Sequence, residues 1–112
     1  MKTVFHINSG ETSKQSELLG NIQNLMDDGT VEVGEIAVVI NSNAIDMVEE
    51  GSEASEFIEE FLSKDVEFNA CSNSLENRGI EEGEVIEGVE IVSSGVGRLN
   101  QLQDKGFNYI KI

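Results

Sequence analysis

The feature of this sequence that most constrains its fold is a run of five consecutive apolar residues, Ile36–Ile40. A strand with one exposed face would alternate apolar and polar residues, so an unbroken run predicts a strand covered on both faces, as in a parallel sheet. Helix-like segments separate it from other strand-like segments, which is the order of consecutive βαβ units. A chain of 112 residues suffices for one core, and we expect a single domain over residues 1–112.

The predicted elements alternate along the whole chain. Five segments have strand character, namely residues 3–7, 35–40, 66–70, 89–92 and 107–110. Five segments have apolar residues at helical spacing, namely residues 12–26, 44–48, 54–62, 72–78 and 96–102. Thr12 and Gln15 have the spacing of a capping box, and Gly79 suits a left-handed helix stop. We therefore predict a three-layer α/β/α sandwich with a five-stranded, mainly parallel sheet.

The charge of the chain excludes some partners. It has 22 Asp and Glu against 7 Lys and Arg, a formal net charge of -15. Such a surface repels phosphate backbones and anionic lipids, so we expect neither nucleic acid nor membrane as a partner. Most of the carboxylates are interpreted as a solvated surface. A salt-rich cytoplasm would suit such a surface, because salt screens the repulsion between like charges.

The single cysteine limits the chemistry further. One cysteine forms no internal disulfide and no paired metal ligands, which favours a reduced, cytoplasmic protein without a metal. The chain lacks a signal-peptide pattern and an apolar run of the ~20 residues that span a bilayer. It also lacks a phosphate-binding loop, a dinucleotide fingerprint and a nucleophile elbow, and we expect no cofactor.

Cys71 is the best candidate for chemistry, because it lies where the third predicted strand gives way to a helix. A thiol at a helix N-terminus meets unpaired backbone N–H groups and the positive end of the helix dipole, both of which favour the thiolate. The alternative is a small buried core residue. His6 would stabilise the thiolate if the first and third strands were neighbours, and is otherwise packed at a strand end. Arg78 would favour an anionic sulfur, or would form an ordinary salt bridge.

Small polar residues follow four of the predicted strands. Ligands of parallel sheets bind beyond the carboxyl ends of the strands, so these residues predict a polar rim for a small anion or nucleotide. Their alternative role is local capping and turn formation. The rim residues are Asn8, Ser9, Gly10, Asn41, Asn43, Ser72, Asn73, Ser94 and Gly95.

The sequence resembles the DsrE/DsrF family of intracellular sulfur-oxidation and sulfur-relay proteins. The resemblance rests on residues 4–10, on 69–80 with Cys71 and the closing Arg78-Gly79, on 88–92 with 94–96, and on 102–110. It implies a parallel five-stranded sandwich that assembles into trimers or hexamers. It also implies that Cys71 carries sulfur as a persulfide from a donor protein to an acceptor protein.

We therefore expect a cytoplasmic sulfur carrier or sulfurtransferase-like protein with its sulfur on Cys71, tuned by His6 or Arg78. Two other functions remain open. One is a non-catalytic module that binds a small anion or nucleotide at the polar rim. The other is an oligomeric scaffold with an inert thiol.

Overall fold

The computed structural model describes all 112 residues, which form alternating strands and helices. The strands are β1 Lys2–Ile7, β2 Ile36–Ile40, β3 Glu67–Cys71, β4 Glu90–Val92 and β5 Phe107–Lys111. The α-helices are α1 Thr12–Asp27, α2 Ser55–Ser63, α3 Ser72–Arg78 and α4 Gly95–Asp104. Short 3₁₀ helices cover Ser42–Val48 and Glu82–Glu84. All five predicted strands are present within one residue of their predicted bounds.

The strands form one sheet in the order β4-β3-β2-β1-β5, and every neighbouring pair is parallel. The apolar run Ile36–Ile40 is the central strand β2, and all five of its residues are buried. Its lack of alternation follows from this position, because side chains on both faces of β2 are covered. The predicted parallel α/β sandwich is confirmed.

The two faces of the sheet are covered unequally. Helices α1, α2 and α3 and the segment Ser42–Val48 pack on one face and form the larger core of 21 buried residues. Helix α4 packs on the other face, where Leu99 and Leu102 join a cluster of six buried residues. Right-handed crossovers explain this division. From β1 to β4 the chain steps in one direction across the sheet, whereas the return from β4 to β5, beside β1, places α4 on the opposite face.

Some local predictions differ from the structure. The predicted capping box is wrong, because Thr12 already lies within α1 and the N-cap residue, Glu11, makes no side-chain cap hydrogen bond. Gln15 instead donates to the Gly10 carbonyl at 3.5 Å. A real capping box lies elsewhere, where Glu81 is the N-cap of the unpredicted 3₁₀ turn Glu82–Glu84 and its N–H donates to the Glu84 carboxylate at 2.9 Å. The left-handed stop of α3 is confirmed, since Gly79 has a φ of 70°.

The helices are too short and too polar to cross a membrane: none combines the length and the hydropathy that a bilayer span requires.

Candidate functional site

The carboxyl end of the sheet contains a topological switch point between β3 and β4. The chain leaves β3 into α3 on one face and leaves β4 for α4 on the other. Neighbouring strands with connections to opposite faces leave a crevice between them, and this is where open α/β sheets bind ligands. Cys71, the last residue of β3, pairs in register with Val92, the last residue of β4. The cysteine therefore lies at the switch point itself.

Cys71 has two structural roles, since it ends β3 and is also the N-cap residue of α3. Successive side chains of a strand alternate between faces, so Cys71 points to the same face as Asn69, which contacts Arg98 of α4. The thiol is free, and the residue as a whole is only 5% exposed. It belongs to neither of the two apolar clusters. Cys71 is therefore a buried core residue that lies at the polar carboxyl end of β3, beside the two apolar clusters rather than within them.

Hydrogen-bond donors surround this sulfur from two helices. Burial raises the pKa of the Cys71 thiol, but the Ser74 hydroxyl and the backbone N–H groups of Ser74, Gly95 and Asn73 lower it, and the net pKa falls below its ordinary value. None of these donors makes a regular N-cap hydrogen bond to the side chain of Cys71. Their dipoles instead converge on the sulfur from the first turns of α3 and α4, which favours the thiolate. No charged side chain contributes to the shift.

Ser74 was not among the predicted site residues, although the structure places it against the sulfur. Its hydroxyl oxygen accepts a hydrogen bond from the Ser42 N–H at 2.8 Å, and this fixes the side chain. Ser42, the first residue of the 3₁₀ segment, has a φ of 53°, a left-handed conformation that is uncommon for a residue other than glycine. The spacing of Cys71 and Ser74 is that of an N-cap residue and the N3 residue of the same helix. That spacing could have identified Ser74 from the sequence, because the first helical turn brings the N-cap and N3 residues together.

His6 lies on β1, and β2 separates β1 from β3, so the strand adjacency that would bring His6 directly to Cys71 is absent. The imidazole instead bridges two residues: Nδ1 is 2.7 Å from the Tyr109 hydroxyl and Nε2 is 3.0 Å from Asn41 Oδ1. Burial lowers the pKa of His6, the bond to Asn41 opposes this, and the charge of Lys111 lowers the pKa further. The net shift is downward, which favours a neutral imidazole.

The two arginines have different environments. Arg78, at the C-terminal end of α3, forms an exposed bidentate ion pair with Asp46, which raises the pKa of the guanidinium. Arg78 lies at the opposite end of α3 from Cys71 and does not contribute to the pKa of its thiol. Arg98 of α4 is largely buried and bonds Glu67 at 2.9 Å and Asn69 Oδ1 at 3.2 Å. Arg98 lines a polar cleft of about 290 Å³ beside β4.

Several rim residues have hydrogen-bond partners within the protein. Asn8 accepts a hydrogen bond from Lys111 at 3.1 Å, and Ser9 accepts one from the Glu11 N–H at 3.1 Å. Ser94 caps α4 through the Gly97 N–H at 3.0 Å.

The other rim residues lie close to one another or to the sulfur. A Cβ added to Gly10 would lie 2.9 Å from the Asn43 carbonyl oxygen, so only a glycine fits there. Ser72 and Asn73 form the first turn of α3, and the backbone of Asn73 and Gly95 faces the sulfur. The structure brings together no group of three or more His, Cys, Asp and Glu that could hold a metal ion.

The fold and the site define a small, parallel α/β sandwich protein with one cysteine held between two helix N-termini. The chain belongs to the DsrE/DsrF-like family, whose model matches residues 1–112. The family resemblance of the sequence is therefore confirmed.

Solved structures agree with this assignment. MTH1491, a protein of unknown function from Methanobacterium thermoautotrophicum, has 37% sequence identity and a TM-score of 0.91, over 99% of this chain and 98% of its own. The ychN protein from E. coli has a TM-score of 0.77 over 100% of this chain and 99% of its own, and its 17% identity supports the shared fold alone. No curated protein matches the sequence significantly.

Proposed function

We propose that this protein is a sulfur carrier that holds sulfane sulfur as a persulfide on Cys71. Family membership points to sulfur relay as the general role. The observation that supports Cys71 as the carrier is the convergence of N–H groups from α3 and α4 on its sulfur, which lowers the pKa of the thiol. A thiolate is the reactive form of cysteine, and a persulfide has a terminal sulfur anion with the same requirements.

The transfer step is a displacement at sulfur. The Cys71 thiolate attacks the outer sulfur of a donor persulfide, a new S–S bond forms at Cys71, and the S–S bond of the donor breaks. The donor leaves as a thiolate, so no external oxidant or reductant is needed. With thiosulfate as donor, the same attack releases sulfite. Delivery to an acceptor thiolate is the reverse reaction with a new partner.

Limited access to the Cys71 sulfur restricts which sulfur donors and acceptors fit the proposal. With Cys71 5% exposed, a small donor or a slender persulfide side chain fits the approach better than a bulky group. The additional sulfur atom of a persulfide extends beyond Sγ and is easier for an acceptor to reach. The donor and the acceptor in this proposal are therefore proteins or small molecules that present sulfur at the tip of a flexible group.

An inert structural thiol is the main competing interpretation. It is disfavoured because the sulfur lies outside both apolar clusters and faces four donors. In our proposal His6 and Arg78 act indirectly. Arg78 ties α3 to the 3₁₀ segment through Asp46, and His6 acts through its partner Asn41.

Intact-protein mass spectrometry tests the proposal directly. After incubation with inorganic polysulfide or thiosulfate, the wild type is expected to gain the mass of one sulfur atom, and a thiol reductant is expected to remove it. Cys71→Ser is the matched control and should gain nothing. A wild type that gains no sulfur while its thiol remains reduced would refute sulfur carriage.

The cellular setting and the assembly belong to the same proposal. We infer a cytoplasmic protein that forms a trimer or a hexamer and exchanges sulfur with donor and acceptor proteins. Light scattering coupled to gel filtration measures the assembly. A monomer at all accessible concentrations would remove the oligomer from the proposal without affecting the chemistry of Cys71.

A further inference from the structure

Helix α4 starts beside the Cys71 sulfur and contributes the Gly95 N–H to its environment. This N–H belongs to a different helix from the one that Cys71 caps, so its position depends on how α4 is attached to the rest of the sheet. The side chain that contacts the start of α4 is Asn41, which follows β2. The contact is independent of the α3 turn.

Asn41 packs directly on the Cα atom of Gly95. A Cβ placed at Gly95 would lie 3.1 Å from Asn41 Nδ2, 3.2 Å from its Cβ and 3.4 Å from its Cγ. Gly95 does not have a positive φ, so the close approach of Asn41 is what favours glycine at this position. The side-chain amide of Asn41 therefore packs against Gly95, the first residue of α4.

The orientation of this amide is set by a chain of hydrogen bonds. His6 Nε2 donates to Asn41 Oδ1 at 3.0 Å, and His6 Nδ1 accepts from the Tyr109 hydroxyl at 2.7 Å. With Oδ1 bound to His6, Nδ2 faces Gly95. The chain runs from Tyr109 on β5 through His6 on β1 and Asn41 after β2 to the start of α4. It spans the sheet and ends at a residue whose N–H faces the sulfur.

We propose that Asn41 is a positioning residue that holds the first turn of α4 against the Cys71 sulfur, and that His6 and Tyr109 fix the orientation of Asn41. The inference rests on the proposed function, because it explains how the Gly95 N–H is held next to the sulfur that carries the proposed chemistry. It gives His6 a role in the site without direct contact with Cys71.

The thiol titration of variants tests the inference. The absorbance of the thiolate is followed against pH, with Cys71→Ser as the blank for other groups. Asn41→Ala is expected to raise the pKa of Cys71 and to reduce the thiolate-to-thiol ratio near neutral pH by up to about tenfold, less than the full loss of a hydrogen bond to an ionised group, because the Gly95 N–H is displaced and not removed. His6→Phe and Tyr109→Phe are expected to shift the pKa in the same direction by less. Asn100→Ala, which removes an exposed amide from α4 itself, is the matched control and should titrate like the wild type.

A double-mutant cycle covers the case in which Asn41→Ala affects folding. Gly95→Ala alone forces its Cβ against Asn41 and should raise the thiol pKa, whereas Asn41→Gly removes the obstructing side chain. In the Asn41→Gly background, Gly95→Ala should have a smaller effect on the thiol pKa. Additive shifts in this cycle, or an unchanged titration of folded Asn41→Ala, would overturn the inference.

The titration needs no sulfur donor, so the two proposals can fail separately. If the wild type takes up no sulfur but the variants shift the pKa, sulfur carriage fails and the positioning role stands. If the wild type takes up sulfur and the variants titrate unchanged, the positioning role fails alone.

Discussion

Ser74→Ala should have two separable effects, because the hydroxyl of Ser74 has two partners. It faces the Cys71 sulfur and lowers the pKa of the thiol, and it accepts a hydrogen bond from the Ser42 N–H at 2.8 Å. A hydrogen bond to an ionised group contributes about 1.5–3 kcal/mol, so its loss should reduce the thiolate-to-thiol ratio by about tenfold or more. The thiol pKa of the variant should therefore rise. The Ser42 N–H also loses its acceptor, which should cost about 1–3 kcal/mol of stability at every pH.

The dependence on pH distinguishes these two effects. Cys71 has a folded pKa below its unfolded value, so the thiolate adds stability that is fully present above the unfolded pKa of about 8.5. This contribution is lost as the pH falls through the folded pKa. In Ser74→Ala the folded pKa of Cys71 is higher, so the thiolate contributes less stability at alkaline pH. The difference in stability between wild type and variant should therefore be larger in alkaline than in mildly acidic buffer.

The assays are a thiolate absorbance titration and urea unfolding at two pH values. Ser63→Ala is the matched control, because its hydroxyl bonds only the Glu60 carbonyl at an exposed helix end. It should change stability by no more than about 0.5 kcal/mol. A folded Ser74→Ala whose thiol titrates like the wild type would refute the account of the site, since the hydroxyl would then contribute nothing to the thiolate.

Three further predictions concern stability. Arg98→Met should cost about 1–3 kcal/mol in urea unfolding, because it removes the donor to the buried Asn69 Oδ1 and the cation beside Glu67. Arg78→Met should cost no more than about 1 kcal/mol, because its ion pair is exposed. Equal costs would contradict the difference in burial, 15% against 45% side-chain exposure. Gly79→Ala should lower stability by about 1 kcal/mol because of its φ of 70°, and an unchanged melting temperature would argue against the left-handed stop. Added NaCl should raise the melting temperature, because salt screens the repulsion within a chain of net charge -15. It should leave the pKa of the Cys71 thiol almost unchanged, because no charged side chain contributes to that pKa. A large shift of the thiol pKa with salt would indicate an ionic partner.

The fold was largely predictable because its strongest signals are local. The unbroken apolar run Ile36–Ile40 indicates a covered strand whatever its neighbours, and the helical spacing in the other segments depends only on each helix. Helix starts were less predictable. Thr12 had the side chain of a cap, but the chain enters α1 one residue earlier, and such a shift of one residue depends on the preceding turn.

The site was predictable at Cys71 and much less so around it. The junction of strand and helix placed Cys71 at a helix N-terminus, which required only the local pattern. The order of the strands decided the rest. With β2 between β1 and β3, His6 contacts Asn41 and not the sulfur, and the return of the chain to β5 brings Tyr109 to His6. Contacts between residues so far apart in sequence leave no periodic pattern in it.

The pairing of β5 with β1 also has a consequence for the assembly of the sheet during folding. Contacts such as His6 with Tyr109 and Asn8 with Lys111 join residues 103 positions apart. Contacts between residues so far apart in sequence form slowly. During translation β1 to β4 can associate while one edge of β1 stays open, and that edge is sealed only after β5 has left the ribosome. A nascent chain therefore exposes the backbone edge of its first strand for nearly the whole time of its synthesis.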